Sequence, residues 1–376
     1  MTVKLTGITW EHERGYGSMA AAALEYRAVR PDVEVTWEQR SLQAFADQPL
    51  EDLVKAYDLL VIDHPHIPHA VEAGLLAPLD VAEYESQLAG LASRAVGLSH
   101  ESYQHLGRQW GLASDAAAQV AVFRPDLLDT PPRTWVEVLD LARDGRVVWP
   151  YKPVDAYSSL LTVASGLGEN AMRKEGVFLE AETLAEALAI LRELAHHVPV
   201  ACRGWNPIQA ADALAESNTL AYCPLLFGYT NYSRAGFRAH RLKHVDIPSS
   251  RRGVSGSLLG GAGVAVSALS AHVSEAIDFA YWVSSGPVQE GAYYNGGGQP
   301  GHADAWESER PNADSLDFFR GTRATLEGAY LRPRAAHYIE LQNSVSPLVT
   351  QAIAGEMDDS TLKRRLDEAT ATWLEN

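Results

Sequence analysis

Hydrophobic and polar positions change period several times along this chain, and the changes mark its elements. VKLTGITW, from Val3 to Trp10, has the composition and spacing of a strand, and Gly15 and Gly17 break the pattern beyond it. SMAAAALEYRAVR is rich in helix formers and halts at Pro31, which cannot continue a helix. VEVTWEQ alternates as a half-buried strand should, and residues 43 to 56 read as a second helix. YDLLVID is a short apolar run of the kind buried on both faces of a sheet. Strand, helix, strand, helix, strand predicts a parallel sheet with right-handed crossovers. Ligands gather at the carboxyl ends of such strands, where Trp10 to His12, Arg40 and Asp63 to His66 all fall.

A second block begins near AAAQVAVFRPDLL. In TPPRTWVEVLDLAR, Thr134 is placed to cap a helix and Glu137 to close the capping box. RVVWP reads as a short strand, DAYSSLLTVASGLG and the amphipathic TLAEALAILRELAHH as helices, and PIQAADALAESN as a helix opened by Pro207. TLAYC and GAGVAVSALS are strands, VSEAIDFAYWVSS is a helix, and two helical patterns close the chain. A length of 376 residues is long for one core, so two lobes are expected. No repeat, low-complexity tract or Gly/Ser linker separates them, which implies several chain crossings.

Composition narrows the function. An apolar fraction of 46% with 21% charged residues is that of an ordinary globular chain. A formal net charge of -17 argues against nucleic acid and against docking on an anionic membrane. No run of apolar residues is long enough for a spanning helix. Two cysteines, Cys202 and Cys223, are too few for a disulfide scaffold or a Cys-rich zinc site. The opening MTVKLTGITW lacks the apolar core of a secretion signal. The expectation is a cytoplasmic chain as it stands, or a periplasmic or cell-surface one supplied without its leader.

Four segments, in this order, resemble the maltose-binding type of extracellular solute-binding proteins that serve ABC importers, the carbohydrate type of family 1. They are YDLLVIDHPHIPHAVEAGLLAPLD, QWGLASDAAAQVAVFRPDLLDTPPRTWVEVLDLA, ADALAESNTLAYCPLLFGYTNY and GSLLGGAGVAVSALSAHVSEAIDFAYWVSSGPVQEG. The chain departs from the family pattern at Ser217-Asn218, where a small residue and Gly are usual, and at HPH, which is no family feature. The resemblance implies an α/β, two-lobe periplasmic-binding-protein-like fold of type II, its lobes joined by hinge strands around a ligand cleft. It implies an N-terminal lobe of 1–112 plus 257–308 and a C-terminal lobe of 116–252 plus 312–376. It further implies a monomeric binder, not an enzyme, with no cofactor. Its partners would be a small polar solute, a carbohydrate or a hydroxylated or acidic small molecule, and the transmembrane permease subunits.

That fold would turn particular side chains toward the cleft. They are Trp10, Glu11, His12 and Tyr16 after the first strand, Arg40 after the second, and Asp63, His64 and His66 after the third. Asp115 lies at the first hinge, Tyr151 and Lys152 follow VVWP, and Phe227, Tyr229 and Asn231 follow LAYCPL. Gly260, Gln299 and Arg332 complete the set. Aromatic faces suit sugar C–H groups, while hydroxyls need in-plane donors and acceptors.

Plainer readings stand beside these. Glu11, Glu13 and Arg14 read more readily as solvated loop charge, and Trp10 equally as a core plug. Arg332 and Arg334 read equally as surface ion-pair partners. Gly296 to Gly298 is no phosphate loop and more naturally permits close backbone approach. Asp63, His64, His66 and His69 offer metal-ligand chemistry, but Pro65 separates the first two histidines in a stretch read as extended, and no metal is expected. Cys223, at the end of LAYC near a cleft edge, would carry group-transfer chemistry if the chain were an enzyme. A cytoplasmic ligand sensor on the same fold is the other alternative. Finally, Arg40, Lys152, Arg332 and Arg334 at strand ends and loops suggest an anionic ligand, unless Glu11, Asp63 and Asp115 neutralise them.

Overall fold

β1 (Val3–Trp10) pairs in parallel with β2 (Val33–Arg40) on one side and β3 (Leu59–Ile62) on the other. In this computed structural model, which describes residues 2–375, these strands open the first lobe. β3 is buried at every position, as its unbroken apolar run requires. α1 (Ser18–Val29) covers the sheet through Met19, Ala22 and Tyr26. The single helix expected over 43–56 is two, α2 (Leu42–Asp47) and α3 (Leu50–Ala56). Pro49 explains the break, because it drives Gln48 into an extended conformation with ψ of 129°.

β4 (Leu112–Phe123) is the element both lobes share. Its second half pairs with β5 (Tyr222–Phe227) and β6 (Lys243–Val245), and its first half with β7 (Leu259–Ser267), which continues to β3. The hydrogen-bond ladder is therefore continuous from lobe to lobe, with register shifts at Val120/Val122 and at Ala262/Gly263. Such bulges add local twist. Packing is not continuous. One core gathers Val122, Trp149, Leu160, Leu188 and Val345, and another gathers Leu5, Val35, Leu59, Val264 and Phe279. A smaller cluster around Ala116, Leu259, Trp306 and Phe318 sits where the strands cross. Two cores joined by shared strands form the two-lobe, type II arrangement.

The second lobe builds helices where the pattern places them. Thr134 and Glu137 form the expected capping box on α4 (Trp135–Arg143). α5 (Pro153–Leu167) and α6 (Ala181–His197) follow, and α7 (Pro207–Glu216) opens on its proline. RVVWP makes a single bridge, Val147 to Tyr222, rather than a strand. The strand expected at TLAYC starts only at Tyr222, because Ser217 Oγ accepts from the Thr219 and Leu220 amides and holds that stretch in a turn. α8 (Val273–Ser284) returns to the first lobe's core, while α9 (Tyr338–Ile353) and α10 (Asp359–Glu375) pack on α5 and α6. Among the described residues, no helix is long and apolar enough to cross a membrane.

Candidate ligand-binding site

A cavity of ≈ 520 Å³ opens between the lobes, a volume suited to a small molecule. Strand ends build its first-lobe wall: Trp10 at the end of β1, with Asp63 and His66 after β3, and Leu42 and Phe45 of α2 beside them. Asp115 of β4 and Gly260 to Ala262 of β7 form the back. The second lobe contributes Lys152 to Asp155 at the start of α5, Phe227 at the end of β5 with Tyr229 beyond it, and Gln342, Asn343 and Ser346 of α9. A Cβ on Gly260 would lie 2.8 Å from the Phe227 ring, so only glycine lets the aromatic lie against β7.

Two ion pairs organise the charge, Arg14 with Asp115 fully buried and Arg332 with Asp63 part-buried. Arg14 donates from Nε and Nη2 to the two carboxylate oxygens of Asp115, at 2.7 and 2.6 Å, and from Nη1 to the Gly228 carbonyl at 2.7 Å. Burial works against the Arg14 charge, and Asp115 more than restores it. Arg332 Nη2 donates to both oxygens of Asp63, at 3.1 and 3.0 Å, and lies 3.2 Å from His64 Nε2. Burial opposes the Asp63 charge, but the Arg332 guanidinium holds its carboxyl below the usual range. Burial, then the Arg332 charge, drives His64 down to about 3, so its imidazole is neutral. Burial also lowers His66.

Of the side chains singled out by sequence, the cavity wall holds Trp10, Asp63, His66, Asp115, Lys152, Phe227, Tyr229, Gly260 and Arg332. The others lie off it, each for a local reason. Glu11 is exposed, and Tyr16 is 37% exposed. His12 packs edge-on behind Tyr229 and accepts from the Arg14 amide through Nδ1. Arg40 turns to the Ala44 carbonyl and lies over the Phe45 ring. His64 is buried behind Asp63. Tyr151 stacks on Trp149, with ring centroids 4.9 Å apart. Asn231 donates to the Gly297 carbonyl, and Gln299 bridges the Ala116 carbonyl and the Thr230 amide.

Several readings of individual residues are corrected. Arg14 is 4% exposed and ion-paired, not solvated loop charge. The segment from His64 to His66 is a 3-10 turn, with Pro65 inside it, and not extended. Cys223 is fully buried and off the cavity, its Sγ against the Leu225 carbonyl, and burial pushes its thiol well up. Arg334 reaches the Glu101 and Gln104 carbonyls instead of a surface carboxylate. The glycine run does permit the close backbone approach expected of it: a Cβ on Gly296 would lie 2.6 Å from the carbonyl of Gly17, at the end of the helical turn before α1. Among the described residues, no group of three or more His, Cys, Asp or Glu is placed to hold a metal ion.

Sequence reasoning missed Arg14 and Asp155 on this site. Asp155 is buried at the start of α5, and its Oδ2 has no hydrogen-bond partner. Burial pushes its carboxyl up to about 7 despite the pull of Lys152. An acid in a first helical turn is too common to mark a site.

Comparison with known proteins gives a consistent pattern. The family described as bacterial extracellular solute-binding protein matches residues 22–315. A maltotriose-binding protein of Pyrococcus abyssi is 28% identical over 119 residues, 32% of this chain and 25% of that protein. The chain thus matches about a quarter of the length of that curated relative. Among solved structures, maltose-bound T. maritima MalE3 superposes with a TM-score of 0.84 at 16% identity, covering 99% of this chain and 100% of that one. The GacH receptor of Streptomyces glaucescens, solved unliganded and with acarbose, gives 0.83 at 16% identity over 100% and 99%. At these identities the likeness is one of fold.

Proposed function

Because this chain belongs to the bacterial extracellular solute-binding protein family, we propose that it closes around a neutral, polyhydroxylated carbohydrate and delivers it to the transmembrane permease subunits of an ABC importer. The observation that carries the ligand class is the internal pairing of Arg14 with Asp115 and of Arg332 with Asp63 on the cavity wall. With these charges cancelled in place, the wall offers aromatic plates and hydrogen-bonding groups rather than a net field. Trp10, Phe227 and Tyr229 supply the plates, and the paired groups, Lys152, Asp155 and the α9 amides supply polar contacts. The names of related proteins, which cite maltotriose, maltose and acarbose, support the same class.

An acidic ligand would need free cations; Arg40 and Arg334 do not line the cavity, Arg332 is taken up by Asp63, and Lys152 stands on the wall beside Asp155. A thermal-shift screen over neutral sugars, sugar acids and amino acids tests the reading. A ligand at about a hundred times its Kd stabilises by about 2.7 kcal/mol. The largest shift is expected from a neutral oligosaccharide, and a largest shift from a sugar acid or amino acid would refute the assignment.

A further inference from the structure

Among the described residues, three carboxylates line the cavity, and two of them already receive arginine hydrogen bonds. Asp155 differs. It is 4% exposed, it lies on the cavity wall as the third residue of α5, and its Oδ2 finds no donor among the described residues. A buried carboxylate oxygen left without a donor is costly, so this wall is complete only when something donates to it. Gln342, on the facing α9, repeats the pattern with an unpartnered Oε1. The second-lobe wall therefore holds buried, unpaired acceptors on lining residues, and the matching ligand chemistry is a set of hydroxyl donors.

The groups around Asp155 are few. Lys152 precedes it by three residues on the same turn, and Tyr229 after β5 feels its charge. From α9 the cavity receives only uncharged side chains, Ile339, Gln342, Asn343 and Ser346, and from the start of α7 only Asn206 and Pro207. Among the described residues, Lys152 is thus the cation that acts directly on this carboxyl.

We propose that Asp155 is the specificity-determining acceptor of the cavity: ligand hydroxyls donate to its carboxylate, and filling the site releases a proton from Asp155 to solvent. This rests on the carbohydrate reading above. Before ligand binds, burial holds the carboxyl near neutrality, so a substantial fraction carries a proton. Ligand donors favour the charged form, so the acid O–H gives its proton to buffer as the ligand's hydrogen bonds form. Linkage then requires affinity to rise with pH up to neutrality and to level off above it.

Isothermal titration calorimetry of the full chain with maltotriose, in buffers of different ionisation enthalpy, reads both affinity and protons released. Release should approach one proton at about pH 6 and fade by about pH 8.5, with Kd tightening up to about tenfold per pH unit below neutrality. Asp155→Asn should abolish the release, flatten the pH profile and weaken binding about tenfold or more at about pH 8. Binding of maltotriose without proton release, or an unchanged profile in Asp155→Asn, overturns the role of Asp155 alone. Absence of maltotriose binding counts instead against the carbohydrate reading. A ligand-free arm decides the Asp155 half in that event. Carboxyl carbon NMR, with the resonance assigned through Asp155→Asn, should show a midpoint near neutrality. A midpoint in the ordinary aspartate range overturns the proposal.

Discussion

Arg14 grips Asp115 through two parallel hydrogen bonds of 2.7 and 2.6 Å, and the same guanidinium donates to the Gly228 carbonyl beyond it. One side chain from the first lobe thus ties the shared strand β4 to the second lobe's strand end. Its ring-stacked position, 4.5 Å from the Tyr229 centroid, also fixes an aromatic of the cavity wall. Geometry of this kind gives direction as well as energy.

Removing one partner should therefore cost far more than removing both. Arg14→Ala leaves Asp115 buried and uncompensated, and is expected to lose about 3–5 kcal/mol in urea unfolding. Arg14→Met combined with Asp115→Leu should recover much of that loss. The deficit of Arg14→Ala should also shrink in acid, where Asp115 can take up a proton. A loss below about 1 kcal/mol would show the pair to be no more than a surface contact.

The aromatic plates are set by a glycine. Gly260→Ala brings a methyl to 2.8 Å from the Phe227 ring, so the ring must shift. Sugar affinity should fall about tenfold, equivalent to about 1.4 kcal/mol, with Phe227→Ala falling at least as far. Calorimetry that finds either variant binding like the parent removes Phe227 from the site.

These relationships show what the sequence could and could not carry. Strand ends were legible, because period and chain breakers mark where β1, β3 and β5 stop, and Trp10, Asp63 and Phe227 follow from that. The two lobes and the C-terminal helices were legible from ordered segments. Arg14 was not, since its partner is 101 residues away and nothing local distinguishes it from loop charge. Nor were Gln342 and Asn343, which reach the cavity only because α9 packs against α5. Tyr151 misled because its ring stacks on Trp149 in the core and turns away from the cleft.

Arg40 gives a test of ligand charge that needs no new structure. Its guanidinium lies over Phe45 and donates to the Ala44 carbonyl, off the cavity wall. Arg40→Ala should leave neutral-sugar affinity within about threefold, the size of a change transmitted only through packing. A loss of about 2 kcal/mol or more would restore Arg40 to the site and with it an anionic ligand.

The thiols should be inert in the folded protein. Cys202 and Cys223 are free, both are fully buried, and burial pushes Cys202 up to about 11. Reaction with a disulfide reagent should follow unfolding rather than thiolate chemistry, and Cys-to-Ser variants should keep sugar affinity within a few-fold. Rapid labelling of Cys223 under native conditions would reopen a catalytic role for it.

Asp155 makes the clearest prediction for stability, and its sign runs opposite to that of a paired carboxylate. Its folded-state value, about 7, lies above the ordinary aspartate value because burial disfavours the charge. The folded state therefore binds the proton more tightly than the unfolded chain does. The contribution of this group is full below about pH 4 and is lost as pH rises through about 7. The scale is at most on the order of 4 kcal/mol, since each tenfold gain in proton affinity is worth about 1.4 kcal/mol. Asp155→Asn cannot ionise, so it should be more stable than the parent at about pH 8, with the gain fading toward about pH 4. Asp63, whose value is lowered, changes stability in the opposite sense, so only the difference between parent and variant isolates Asp155. Chemical denaturation of both proteins without ligand, across that range, measures this difference. The same substitution should weaken sugar binding, so a gain in stability accompanied by a loss of affinity identifies a carboxylate kept for the ligand. A variant equally destabilised at every pH would mean that Asp155 holds the fold and does not serve the site.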